Sequence, residues 1–130
     1  MSREIVEIGH TLNDAVRRGD WDTVAAYLDP DILLRTDPRW PEQRVYGREV
    51  VVVWHRVTQE SVGPDVSIEE IIELRDMALI RVCWFVRGQH SDAQGEMLYS
   101  ELNTYREGRV VLSEFFLEHG QALKAVGLEE

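Results

Sequence analysis

The sequence is short of basic charge. Against 24 Asp and Glu it sets 14 Lys and Arg, a formal net charge of −10. A chain this acidic repels phosphate backbones and anionic lipid, so neither nucleic acid nor a membrane surface is expected as a partner. Cysteine is limited to Cys83, which excludes an internal disulfide and offers no zinc cluster. Within "VCW" it reads as a small buried hydrophobe. His10, His90 and His119 show no ligand spacing, so no metal is expected. No Gly-rich phosphate loop, nucleophile elbow or kinase signature occurs, and no cofactor is implied. No apolar run approaches the roughly 18 residues of a membrane span. The opening "MSREIVEIGH" lacks the apolar region of a signal peptide, which points to a soluble, cytoplasmic protein. Repeats, linkers and low-complexity segments are missing too. With 44% hydrophobic residues, the 130 positions have the length and make-up of one globular domain, residues 1–130.

What is present is an ordered series of patterns. Ile5, Ile8, Leu12, Ala15 and Val16 recur at helical spacing, with Ser2 able to cap the helix and Gly19 to end it. Asp20 caps a second helix carrying Trp21, Val24, Ala25 and Leu28, and Pro30 stops it. Ile32–Arg35 predicts a short strand, and "DPRWPEQR" at 37–44 a loop. The run "GREVVVVWHRVTQE" is locally strand-like through its four valines. Val51, Trp54, His55 and Thr58 nevertheless fit one helical face, so a helix is predicted. From Val66 the pattern turns to strands. "VSIEEIIEL" and "ALIRVCWFVR" flank Arg75-Asp76, and a two-residue turn there sets Glu70 opposite Arg81. "HSDAQG" is a turn cluster, and the tail predicts a short helix. Helices first and strands second mean an α+β fold, with helices against one face of a curved antiparallel sheet.

The last hairpin, "ELNTYREGRVVLSE", turns at Glu107-Gly108. A two-residue turn there places Glu101 opposite Glu114, and Tyr99, Asn103 and Tyr105 opposite Phe116, Leu112 and Val110 on the same face. The other face then carries Leu98, Ser100, Leu102, Thr104, Val111, Ser113, Phe115 and Leu117, without a charge. It suits a homodimer contact. A type I turn with a glycine bulge would instead set Glu101 against Ser113. In the first register Glu101 and Glu114 would share a proton inside a pocket.

The order of "RRGDWDTVAAYLDPDI", "WPEQRVYGREVVVVW", "YREGRVV" and "FFLEHGQALKAVGL" resembles the NTF2-like superfamily, in particular its SnoaL-like and ketosteroid-isomerase-like members. The resemblance spans nearly the whole chain. It implies a cone: a bent sheet wrapping the helices around an apolar pocket open at one end, often dimeric through the outer sheet face. It also implies roles. Asp37, in Asp-Pro ten residues before Gly47, matches the general base of the isomerases, although Asp-Pro is also a common turn starter. Glu101, four residues before the inward aromatic Tyr105, matches their protonated acid, which donates to an oxyanion. A solvated Glu101, or one paired with Arg81 or Arg87, is the alternative. The tyrosine those isomerases use from the first helix is replaced here by Leu12, with His10 and Asn13 nearby. Glu118 matches a frequent SnoaL-like acid, or is a helix N-terminal charge. Trp54 and His55 share the helix stripe, where a core histidine is the plainer reading, and Trp40 lies in the loop at the cone's mouth. The expected ligand is a small apolar or carbonyl-containing molecule, contacted by Trp40, Trp54, His55, Tyr99, Asn103, Glu114 and Phe116. Acid–base isomerisation or cyclisation next to a carbonyl is the function implied. A carrier or sensor without turnover, and a protein-interaction module using the outer sheet face, are the alternatives.

Overall fold

A computed structural model describes residues 2–39, 44–87 and 94–127. Helix α1 (Ser2–Arg18) buries Ile5, Ile8 and Ala15 along one stripe and ends at Gly19, whose φ of +70° only glycine adopts without strain. Helix α2 (Trp21–Ala26) begins at Asp20, which accepts from the Thr23 N–H at 3.2 Å and the Thr23 hydroxyl at 2.7 Å. The four-valine run lies inside α3 (Arg48–Val62), which turns Val51 and Trp54 into the core and leaves Val50, Val53 and Val57 exposed. Burial of that single face overrides the strand preference of the valines.

The strands are β1 (Leu28–Arg35), β2 (Arg44–Tyr46), β3 (Val66–Leu74), β4 (Met77–Arg87), β5 (Gln94–Arg106) and β6 (Arg109–Phe116). They form one curved, unclosed sheet in the order β2-β1-β6-β5-β4-β3, antiparallel except where β1 runs parallel to β6. β1 starts earlier than the predicted Ile32. It runs through Pro30, which is exposed and lies where pairing with β6 is irregular, so the missing N–H costs no ladder bond. The turn at Arg75-Asp76 has two residues and pairs Glu70 with Arg81, as expected.

The last hairpin departs from the sequence reading. Its turn does have two residues, with Glu107 and Gly108 both at positive φ (53° and 75°) and Tyr105 opposite Val110. Beyond it Thr104 pairs with Leu112, which leaves Val111 unpaired as a β-bulge. Every later pair moves by one, so Glu101 faces Phe115, and Leu102 faces Glu114. Neither the two-residue register nor the glycine-bulge alternative survives. The slip carries Ser113 and Phe115 to the inner face and sends Glu114 and Phe116 outward.

The main core lies between the helices and the inner face, with Tyr99, Tyr105, Val110 and Phe115 in it. A second cluster sits on the outer face, where the chain's own helix α4 (His119–Ala125) lays Ala122 and Leu123 on Leu79, Leu102 and Phe116. The hydroxyl of fully buried Ser100 is hydrogen-bonded to His119 Nδ1 at 2.6 Å and fastens the start of α4 there. The outer face is therefore neither uncharged nor bare. It carries Glu114, which pairs with Arg35 at 3.5 Å, and part of it is covered.

Candidate functional site

The concave side of the sheet and helices α1–α3 enclose a cavity of about 70 Å³. That holds a few water-sized groups or a small ligand. Its walls are mostly aliphatic: Leu12 and Val16 from α1, Val24 from α2, Val66 and Ile68 from β3, Ile80 and Val82 from β4, with Trp84 beside them. Strand alternation puts the β4 residues there, since Ala78, Ile80, Val82 and Trp84 share a face. The indole N–H of Trp84 donates to the Gly63 carbonyl at 2.7 Å, which fixes the ring.

Six polar side chains line the same space: Asn13, His55, Tyr99, Glu101, Asn103 and Ser113. Glu101 and Asn103 are i and i+2 on β5, so both point inward, and the Asn103 amide donates to Glu101 Oε2 at 3.2 Å. Ser113 joins them because Val111 is bulged out, which brings it directly opposite Asn103. Arg81 is on the other side of β4 and cannot neutralise Glu101. Among the described residues no Lys or Arg lines the cavity. Burial without a counter-ion pushes the Glu101 carboxyl up to about 7, against a smaller opposing pull from the Asn103 bond. Burial also pushes His55 down to about 4, so its imidazole is neutral at physiological pH. Tyr99 is driven well above its ordinary value by burial and by Glu101 beside it. Tyr105 rises to about 12, chiefly through burial. Two atoms here are buried without a hydrogen-bond partner, Asn103 Oδ1 and the Tyr105 hydroxyl.

Four of the residues singled out from sequence thus meet in the cavity: His55, Tyr99, Glu101 and Asn103. Others do not. Asp37 is 3% exposed and is absent from the cavity wall. Arg39 holds its carboxylate with two side-chain bonds of 2.8 and 2.9 Å, and the N–H groups of Arg39 and Leu117 add bonds of 3.0 and 3.1 Å. The Arg39 bonds above all, then the two backbone N–H groups, hold Asp37 well below the usual carboxylate range against the cost of burial. With its lone pairs taken, it fastens the chain after β1 to the end of β6 rather than standing free as a base. Glu118 receives the outer side of Arg39 at 3.4 Å and stands at the N-terminal boundary of α4, where its side chain makes no capping hydrogen bond. Glu114 and Phe116 are on the outer face, so Glu101 and Glu114 share no proton. Trp54 stands behind the cavity, edge-on to the rings of His55 and Phe115 at 5.1 and 5.4 Å. Trp40 lies outside the described residues. The sequence reading missed Ser113, hidden by the bulge, and Trp84, which alternation along β4 would have revealed. No group of His, Cys, Asp or Glu that could hold a metal occurs among the described residues, and none of their helices is long and apolar enough to cross a membrane.

No family model matches the chain, and no curated protein matches it. Solved structures do match. A SnoaL-like polyketide cyclase from Jannaschia sp. CCS1 superposes with a TM-score of 0.78 at 16% identity, over 100% of this chain and 96% of that one. An NTF2-like protein from Burkholderia xenovorans LB400 gives 0.75 at 19%, over 97% of both chains. The chain has the NTF2-like fold. An epoxide hydrolase of M. tuberculosis, of the LEH-like type, shares this NTF2-like frame at TM-score 0.73 and 18% identity, over 96% of this chain and 90% of that one. Proteins of such different description on one frame mean that function has to be argued from the cavity.

Proposed function

We propose that the NTF2-like cone binds a small, largely apolar molecule and that Glu101 exchanges a proton or a hydrogen bond with its polar group. The observation that supports this most is the isolation of Glu101. It is a carboxyl in a largely aliphatic cavity, with Asn103 as its hydrogen-bond partner and no Lys or Arg among the described residues of the wall, and burial pushes its pKa up to about 7. Both of its forms are therefore populated near neutrality, which suits a group that gives and takes protons. The reaction class favoured is proton transfer at a carbon next to a carbonyl, as in isomerisation or cyclisation. Neutral Glu101 would donate to the carbonyl oxygen and stabilise the enolate as it forms. Asp37 being engaged by Arg39, the acceptor for the carbon's proton is neutral His55. A base this weak acts only on a carbon already acidified by the bond to oxygen.

The test uses a panel of small ketones with the tryptophan emission of Trp84 as reporter, and deuterium wash-in from D₂O next to the carbonyl as the measure of chemistry. Binding with wash-in that Glu101→Gln abolishes is expected. Binding without wash-in would make the protein a carrier. No binding at millimolar ketone would remove the reading.

A further inference from the structure

The polar end of the cavity gathers three groups that can accept a hydrogen bond, Glu101, Asn103 and Ser113. Glu101 presents a carboxylate above pH about 7. Asn103, 4% exposed, donates one amide N–H to Glu101 and lies beside the Tyr105 hydroxyl; its Oδ1 and that hydroxyl are both buried without a hydrogen-bond partner of their own. Ser113, 5% exposed, faces Asn103 across the β5–β6 pair and lines the same space. A buried carbonyl oxygen with capacity to accept, beside a carboxyl with no Lys or Arg among the described residues of the wall, leaves negative polar groups incompletely compensated in a low dielectric. Both deficits are met by one kind of group, a positive charge carrying several N–H bonds.

We propose that the cone binds small primary alkylammonium ions, with the –NH₃⁺ head against Glu101, Asn103 Oδ1 and Ser113 Oγ and the alkyl tail among the aliphatic walls. Three donors on the head match three acceptors on the wall. The bond to Glu101 is charge-assisted and shielded from water, where such bonds are strongest. The net charge of −10 raises the local concentration of cations. Anions are disfavoured on every count. This inference rests on the cone being a ligand site, as proposed above, but not on any reaction there. It adds a second ligand class: neutral Glu101 suits a carbonyl, ionised Glu101 an ammonium.

The charge of Glu101 makes the binding pH-dependent in a stated direction. The other titratable groups around Glu101 are His55 from α3 and Tyr99 and Tyr105 from β5; among the described residues α1, α2, β3, β4 and β6 contribute none to the wall. Burial pushes His55 down to about 4, Tyr105 up to about 12 and Tyr99 well above its ordinary value, so none of them changes charge between pH 5.5 and 8.5. An alkylammonium, like a lysine side chain, stays protonated throughout that range. Affinity then follows the ionised fraction of Glu101. It rises about tenfold per unit below pH 7, levels off above, and gains about 30-fold from pH 5.5 to 8.5.

Calorimetric titration of the whole protein with isopentylammonium tests this, with isopentanol as the neutral isostere and tetramethylammonium as a cation without N–H donors. Expected are the rise with pH for isopentylammonium, little pH dependence for the alcohol, and much weaker binding of tetramethylammonium. Glu101→Gln, nearly the same shape, should lower isopentylammonium affinity at pH 8.5 at least tenfold while isopentanol still binds. A carbon-13 titration of the Glu101 carboxyl should show its pKa falling when the ammonium is added. If the alcohol or a ketone binds and isopentylammonium does not, the ammonium inference is wrong and the ligand cone stands. If tetramethylammonium binds as well as the primary amine, the three-acceptor match is wrong. If no probe binds, both readings fall.

Discussion

Glu101 and Asp37 are both carboxylates withdrawn from bulk water, and their neighbours drive them in opposite directions. Glu101 has a folded-state pKa of about 7 against an ordinary value of 4.5. Between the two the folded chain holds a proton that the unfolded chain has lost, so this residue makes the fold less stable as pH rises. Asp37, held down by Arg39, stabilises the fold at all pH above its ordinary 3.8, and that contribution is lost as pH falls below it. The two amide variants should therefore show opposite behaviour in urea unfolding. Glu101→Gln should be more stable than the parent by about 1–3 kcal/mol at pH 8, discounted for the water the cavity admits, with the gain shrinking toward pH 4. Asp37→Asn should be less stable by about 2–4 kcal/mol at pH 7, because it leaves Arg39 and two N–H groups poorly matched. Its deficit should persist to about pH 4 and narrow only in stronger acid. A stability loss in Glu101→Gln at pH 8 would mean that Glu101 is paired after all. Both residues could be picked out from the sequence. Their environments could not: Arg39 is two residues from Asp37, but nothing in the sequence says that it folds back onto that carboxylate, and Leu117, 80 residues away, meets it only in three dimensions.

The last hairpin shows where legibility ends at the level of elements. Its turn was readable, since Glu-Gly between two alternating runs marks a tight connection. Its bulge was not, because Val110, Val111 and Leu112 are equally apolar and alternation gives no sign of which one is skipped. That one residue decides whether Ser113 or Glu114 joins Glu101 inside, and it is the reason the proton-sharing pair does not exist. The helices were legible for the opposite reason. Val51 and Trp54 bury one face of α3 while Val50, Val53 and Val57 stay exposed, a difference of period that sequence records. β1 was read short because Asp-Pro-Asp looks like a stop, and only the irregular pairing with β6 accommodates it. The turn itself carries a removable strain. Glu107 has a φ of +53°, in the left-handed region that asparagine tolerates better. Glu107→Asn should stabilise the protein by about 0.5–1 kcal/mol, a rise of a few degrees in Tm by calorimetry. An unchanged or lower Tm would show that the Glu107 side chain contributes something the asparagine lacks.

At the scale of the molecule, the bulge and α4 together redraw the surface offered to a second copy. The patch expected from sequence was Leu98, Leu102, Phe115 and Leu117. Phe115 and Leu117 belong to the main core, and Leu102 lies under α4. Leu98 remains, 44% exposed, beside half-buried Cys83 and Phe85 on β4. We propose that a homodimer, the assembly the sequence led us to expect, forms over this uncovered part of the outer face. Each copy carries a net charge of −10, so two copies repel, and salt shortens the reach of that repulsion from about 30 Å at 0.01 M to about 3 Å at 1 M. Dimerisation should then strengthen with salt, while the apolar contact around Leu98 sets its place. Sedimentation equilibrium at micromolar concentration should give twice the chain's 15.1 kDa in 0.5 M NaCl and a smaller average mass in 0.02 M. Leu98→Glu should hold the protein at the monomer mass in both, with its circular dichroism unchanged because the side chain is already exposed. A parent protein that stays monomeric at both salt concentrations would refute the dimer. A dimer that survives Leu98→Glu would move the contact elsewhere, and the exposed valines of α3 would be the next surface to substitute.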